Sequence, residues 1–476
     1  MTWPRRVGLI DTTLRDGNQS VWATRMPTEA FLPILPAMDA VGYDSIEILA
    51  TVHMDVCVRY LKENPWERLR LTRARVRRTP LRMLTLSQFF SISGVMPDDV
   101  VELFNECVAR AGVDIIWVTP SLNDTRNAEV AIRTGRRCGM RVEGTLLFTV
   151  SPVHTDEYFT ARARELVALG VDGIVLKDAG GLLTPERART LVPALIGAIG
   201  ETPLVCHSHC ITGMGPAANL AAVECGASAI WTATPPLANG SSLPSDEAMA
   251  RSLSWMGYEV DVDRGRMSEV AAYFTDAARR YGRPISRPAE YDPAYYEHQM
   301  PGGMLGNFRA QLSQLGLEHR LDEILAEMPR VRRDLGEPNS MTPFSQFIAT
   351  QALLNVLYGR YEVVPDEVRN LALGYWGRTP ASVDPDVLDK VGRGAEPVTA
   401  RPGELVPPIL DRVRREQGPF RSDEDLLLAV LFMPAIIEAM RAAPPIRTAG
   451  PRPTMLDVIR TAAADRTLRR VSISAP

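Results

Sequence analysis

Eight short β-rich apolar runs, most of them followed by a stretch of helical period, constrain this 476-residue chain more than any other feature. The runs cover residues 7–10, 45–49, 81–86, 115–118, 142–148, 173–177, 203–207 and 228–232. Helical spacing of apolar residues marks 28–40, 98–111, 127–138, 156–169, 184–199 and 215–225 between them. Eight strand–helix repeats over about 250 residues predict a TIM (β/α)8 barrel. An open doubly wound sheet would want a glycine-rich phosphate loop after its first strand. The first strand here runs instead into Asp11-Thr-Thr-Leu-Arg-Asp-Gly-Asn-Gln-Ser20, which is polar and holds one glycine.

Beyond residue 290 the pattern changes to helices punctuated by Pro/Gly turns such as Gln299-Met-Pro-Gly-Gly-Met304, with helical runs at 307–315, 321–327, 343–359 and 365–373. This predicts a catalytic barrel over 1–290 and a mostly helical C-terminal domain over 291–440. A flexible tail is expected over 441–476, with one docked helix at 455–464.

The active site of such a barrel lies at the C-terminal ends of its strands, and the polar residues collect there. Asp11, Arg15, Asp16 and Gln19 follow strand 1, Lys177 and Asp178 end strand 6, and His207 and His209 end strand 7. Side chains two apart on a strand share a face, so both imidazoles could meet one metal ion. Only three of the 53 basic residues are lysines, Lys62, Lys177 and Lys390. Burial of Lys177 at a strand end would favour its neutral amine, which can form a Schiff base or take up carbon dioxide as a carbamate. A plain ion pair of Lys177 with Asp178 or Asp16 is the simpler alternative.

Composition narrows the partners. A hydrophobic fraction of 45%, 23% charged residues and a net charge of −4 give no case for nucleic acid or a membrane surface. The basic run 72–78 reads as a solvated helix end. Six cysteines without framework spacing, an apolar N-terminal run too short for a signal peptide and no apolar run of about 18 residues predict a cytoplasmic protein with reduced thiols. His53 and His154 read as structural, and Asp246 and Glu247 as a helix start.

The opening Asp11 to Ser20, with Ala23-Thr-Arg-Met26, resembles the pyruvate carboxylase-type carboxyltransferase domain. That family includes the oxaloacetate decarboxylase α subunit and the transcarboxylase 5S subunit, within the DRE-TIM metallolyase superfamily. Asn64-Pro-Trp-Glu-Arg-Leu-Arg70, Ser151-Pro-Val-His154, Leu176-Lys-Asp178, His207-Ser-His-Cys-Ile-Thr-Gly-Met214, Pro301-Gly-Gly-Met-Leu305 and Met328-Pro-Arg-Val-Arg332 extend the likeness from residue 7 to about 435, in the family's order. The resemblance implies that Asp16, His207, His209 and a carbamylated Lys177 bind a divalent metal, zinc, manganese or cobalt. It implies that Arg15 and Gln19 hold the substrate, and that Ser241 stands where the family has a proton-shuttling threonine. The implied chemistry is stabilisation of an enolate as a carboxyl group leaves or arrives.

Three loops depart from the family. Leu86 stands where an arginine would clamp a keto acid carboxylate, Phe89 replaces asparagine, and Ser93 replaces tyrosine. Strand 4, Phe-Arg-Ile-Phe-Asp in the family, reads Ile116-Trp-Val-Thr-Pro120, and the family's Trp-Gly-Gly-Ala-Thr reads Leu49-Ala-Thr-Val-His53. A substrate pocket that is larger or more apolar around Leu86, Phe89 and Trp117 is expected, since loss of a bidentate arginine removes charge-assisted hydrogen bonds.

The expected activity is that of a metal-dependent carboxyltransferase or decarboxylase acting on a 2-oxo acid or acyl substrate. With no biotin carboxylase region and no Ala-Met-Lys-Met biotinylation site, biotin is expected on a separate carboxyl carrier protein. The family's habit points to a homodimer. A biotin-independent lyase, aldolase or acyl-condensing enzyme on the same barrel is the alternative. Retention of every metal-ligand position weighs against a non-catalytic scaffold.

Overall fold

The computed structural model describes residues 6–85, 87–89 and 94–448, with the side chains of 302, 303 and 307 left aside. Leu86, Ser93 and residues 449–476 of the expected tail, its helix at 455–464 included, lie outside the described residues.

The predicted barrel is the observed one. Strands β1 (Gly8–Asp11), β2 (Ser45–Ala50), β3 (Leu81–Thr85), β4 (Ile115–Val118), β5 (Arg141–Leu147), β6 (Gly173–Asp178), β7 (Leu204–Ser208) and β8 (Ala229–Thr232) close in sequence order. Every neighbouring pair is parallel, and β1 closes on β8 from Gly8 opposite Ala229 to Asp11 opposite Thr232. Each strand alternates between a large outer core under the helices and a small barrel interior. On β4, Ile116 and Val118 join the outer core while Trp117 turns inward, where it packs with Ile10, Ala50, Leu84, Val175, Val205 and Trp231.

β2 breaks this alternation. A register shift against β3 between Glu47 and Leu49 lets Ile48 and Leu49 both pack outward, while Ala50 returns to the interior. One extra residue in a strand re-aims the side chains that follow it.

The interior also holds a charge pair. Arg82 and Glu143 are fully buried, with Arg82 Nη2 2.9 Å from Glu143 Oε1 and the guanidinium 4.6 Å from the centroid of the Trp231 ring. Removing one partner strands the other's charge in a dry site, which costs about 3–5 kcal/mol. Glu143→Ala is therefore expected to lose about that much in urea unfolding, and the paired change Arg82→Met with Glu143→Leu much less.

The segment 28–40 is not the continuous helix its spacing predicts. A 3-10 turn over Thr28–Ala30 and a short helix Leu35–Asp39 replace it. Pro33 and Pro36 lack the amide protons that a helix through this stretch needs, and Pro36 fits only because it lies in the first turn.

The C-terminal helices divide between two cores. Leu321–Asp334, Phe344–Tyr358, Asp366–Ala372 and Pro385–Gly392 surround a second apolar cluster that includes Ile324, Val331, Phe344, Ala352 and Leu371. The last three, Leu410–Gln417, Asp423–Leu431 and Pro434–Arg441, return to the barrel flank, where Leu426, Leu428 and Ile437 join the outer core. No helix among the described residues is long and apolar enough to cross a membrane.

Candidate metal centre

The turn after β1 carries two of the key side chains. Thr12 caps the turn Thr13–Gly17 by accepting from the Asp16 amide, and Thr13 is clipped to Asp11, its Oγ1 donating to Asp11 Oδ1 at 2.6 Å. The Thr234 amide donates in turn to Thr13 Oγ1, at 2.8 Å, tying the turn to the loop after β8. Arg15 and Asp16 thereby lie over the barrel mouth, only 2% and 3% exposed.

Two strands supply the rest. Lys177 and His207 are register partners on β6 and β7, so their side chains stand side by side, and His209 lies two residues on. Asp16 Oδ2 lies 3.3 Å from His207 Nε2 and 3.3 Å from His209 Nε2. Burial alone would raise the Asp16 pKa, but Arg15 and the two imidazoles outweigh it and hold the carboxyl well below its ordinary range. Burial drives His207 the other way, well below the usual imidazole value, so its ring is neutral. Desolvation, with help from Arg15, lowers Lys177 to about 8.

These three ligand atoms fit a cation. His209 Nδ1 lies 2.7 Å from the Ser241 carbonyl and must donate to it, which fixes the ring with Nε2 turned towards the Asp16 carboxylate. Neither ring nitrogen of the fully buried His207 has a hydrogen-bond partner. Asp16, His207 and His209 are the cluster of metal-ligand type found among the described residues. A hydrogen bond from the far nitrogen to a carbonyl is the usual means of fixing a ligating imidazole.

Glu47 escaped the sequence reading. It is fully buried on β2, 2.8 Å from Arg15 Nε, and it accepts from the Thr12 hydroxyl and, at 2.7 Å, from the Trp117 indole N–H. The signal was a lone acid within the apolar run Ser45-Ile-Glu-Ile-Leu49. Arg15 also reaches Asp16 Oδ2 with Nη1 at 2.8 Å, while its Nη2 has no hydrogen-bond partner among the described residues. His53 is buried with Nε2 2.9 Å from the Arg15 carbonyl, supporting the same turn.

The other predicted site residues are placed as follows. Gln19 is exposed on the short helix Asn18–Trp22 that follows the turn. Ser241 donates its hydroxyl to the Ser20 carbonyl at 2.9 Å, and Ser20 donates to Asp16 Oδ1 at 3.0 Å, so Ser241 stands one residue removed from the cluster. Trp117 is wholly buried in the barrel with Lys177 Nζ 4.6 Å and Arg15 Cζ 5.2 Å from its ring centroid. Phe89 stacks on Trp376 of the helical region, centroids 4.7 Å apart. Asp178 accepts the Leu182 and Leu183 amides and the Ser208 hydroxyl, fixing the loop after β6. His154 is buried against Ser151, and desolvation lowers it to about 3, in keeping with a structural role.

A second buried acidic pair lies behind the turn. Tyr43 and Thr234 both donate to Asp246 Oδ2, at 2.6 and 2.7 Å, close to Asp11. Burial is the main cause that raises Asp11 to about 8 and Asp246 to about 6. In the folded state this pair holds protons that the unfolded chain has released above about pH 4, so its own contribution to stability falls as pH rises from there towards 8. The buried neutral His154 and His207 act in the opposite sense below about pH 6.5, so the pair is read by difference. Parallel thermal melts should show the stability of wild type falling relative to that of Asp11→Asn as pH rises from about 4 towards 8.

A barrel of this closure with an Asp and two His at its mouth defines a metal-dependent TIM-barrel enzyme. Residues 295–449 match a family described as the conserved carboxylase domain, and residues 119–272 match one described as HMGL-like. The chain is 39% identical over 443 residues to a pyruvate carboxylase subunit of Methanocaldococcus jannaschii, covering 91% of this chain and 78% of that protein. It is 35% identical over 436 residues to the methylmalonyl-CoA carboxyltransferase 5S subunit of Propionibacterium freudenreichii subsp. shermanii, covering 90% and 86%. The carboxyl transferase domain of Rhizobium etli pyruvate carboxylase, solved with pyruvate and biocytin, superposes with a TM-score of 0.84 at 28% identity, over 92% of this chain and 77% of that one. The chain belongs to the carboxyltransferase family that holds these pyruvate carboxylase and 5S proteins, a family of enzymes.

Proposed function

We propose that this protein moves a carboxyl group to or from the carbon beside the ketone of a 2-oxo acid, with biotin on a separate carrier protein holding the group in transit. The observation that carries this reading is the convergence of Asp16, His207 and His209 with Arg15 and Lys177 at the barrel mouth. Asp16, His207, His209 and a carbamylated Lys177 would hold a divalent zinc, manganese or cobalt ion. When bound, such an ion supplies Lewis-acid stabilisation of the enolate that decarboxylation leaves.

The chain's own residues have defined tasks. The Lys177 amine adds to the carbon of carbon dioxide and loses one proton, giving a carbamate, and burial keeps much of that amine neutral near pH 8. The buried, unpartnered Nη2 of Arg15 receives the substrate carboxylate while Glu47 and Asp16 fix the rest of the guanidinium. Gln19, on the helix beside it, adds a second polar contact. Ser241 passes a proton between substrate and biotin by turning its hydroxyl away from Ser20. The pocket, altered at Leu86 and Phe89, selects a substrate other than oxaloacetate.

The match to a carboxylase domain over the helical region favours this reading over a biotin-independent lyase. A panel of 2-oxo acids bearing a second carboxylate, assayed for decarboxylation with and without free biotin, tests it. Turnover that requires biotin supports the proposal. Turnover indifferent to biotin points to the lyase, and efficient use of oxaloacetate overturns the altered pocket.

A further inference from the structure

Trp117, on β4, touches three of the site's charged groups at once. Its indole N–H donates to Glu47 Oε1 at 2.7 Å. Its ring lies 4.6 Å from Lys177 Nζ and 5.2 Å from Arg15 Cζ. It also packs on His207, centroids 5.6 Å apart, and on Trp231 at 4.7 Å. Trp117 is 0% exposed, so it lies beneath the cluster.

Each contact has a physical consequence. An arginine at this position would add a second cation under Lys177 and compete with Arg15 for Glu47. A neutral indole leaves Arg15 as the cation paired with Glu47, and its flat face packs against the end of the Lys177 side chain without adding a charge beside it. Among the described residues Lys177 makes no ion pair or hydrogen bond through its amine, so the aromatic face is the surface against which that amine is held. The indole N–H satisfies one Glu47 oxygen, while Thr12 and Arg15 occupy the other.

We infer that Trp117 is a positioning residue, whose ring face fixes the Lys177 arm of the metal site and whose N–H fixes the Glu47–Arg15 pair that receives the substrate carboxylate. The inference rests on the reading of Asp16, Lys177, His207 and His209 as metal ligands. It assigns separable jobs to two parts of one side chain, and two variants separate them. Trp117→Phe keeps a ring face and removes the N–H. Trp117→Leu removes both.

The test uses the full chain, with manganese affinity measured by chelator competition and oxamate affinity by calorimetry on the manganese-loaded protein. Wild type should bind about one manganese ion per chain. Trp117→Phe should keep manganese affinity within about threefold yet bind oxamate about tenfold more weakly, because Glu47 and Arg15 lose their anchor. Trp117→Leu should lose about tenfold or more in manganese affinity as well, the range typical of residues that support metal ligands. Intrinsic fluorescence should change on manganese addition in wild type and change much less in Trp117→Phe. If Trp117→Phe keeps wild-type affinity for both probes and the full fluorescence response, the inference is overturned, even where Trp117→Leu fails to fold. If wild type itself binds no manganese, it is the metal reading that fails.

Discussion

Replacing His207 with alanine is expected to empty the metal site and lower turnover on the order of a thousandfold. The imidazole is fully buried and held neutral by desolvation, and Asp16 Oδ2 lies 3.3 Å from its Nε2. No other described residue offers a replacement donor within the cluster of Asp16, His207 and His209. The expected loss corresponds to about 4 kcal/mol of transition-state stabilisation, within what a Lewis-acid metal contributes. Metal content by mass spectrometry and single-turnover decarboxylation measure the two halves of this prediction separately. The change also removes packing against Trp117 and Trp231, so a modest fall in melting temperature should accompany it.

The second large effect concerns Lys177. Lys177→Ala should cost on the order of a hundredfold or more in turnover, with weakened metal binding, because the fourth ligand is then missing. Lys177→Arg should fare no better, since a guanidinium stays charged and forms no carbamate. Short carboxylic acids such as formate or propionate should restore part of the activity of Lys177→Ala by placing a free carboxylate in the vacated space. Recovery by an alkylamine instead would identify Lys177 as a simple base or cation. Wild-type protein given labelled bicarbonate should show a carbamate carbon that Lys177→Ala lacks.

The barrel was legible because its strands and helices differ in period, and the convergence of Arg15, Asp16, Lys177, His207 and His209 followed from that closure. The failures have local causes. Pro33 and Pro36 interrupt a segment whose apolar spacing alone reads as helix. Glu47 went unread because an acid inside an apolar strand acquires meaning only once the strand bulge and the arginine of another loop are placed beside it. Trp117 was expected at the pocket wall and is found beneath the cluster, since alternation on β4 distinguishes inward from outward but not depth along the barrel axis. The partner of Phe89, Trp376, lies in the helical region, and no local pattern joins positions so far apart in sequence. Helical period likewise gives no sign that Leu410–Gln417 and its two successors turn back to the barrel flank.

Anomalous diffraction from crystals grown with excess manganese or zinc tests the central claim most directly. The account predicts one strong peak among Asp16, His207 and His209, at about 2.0–2.2 Å from their ligand atoms, with density extending from the Lys177 amine towards it. Metal-replete crystals with no peak between those side chains, or with one bound elsewhere while Lys177 ends at its nitrogen, would contradict it.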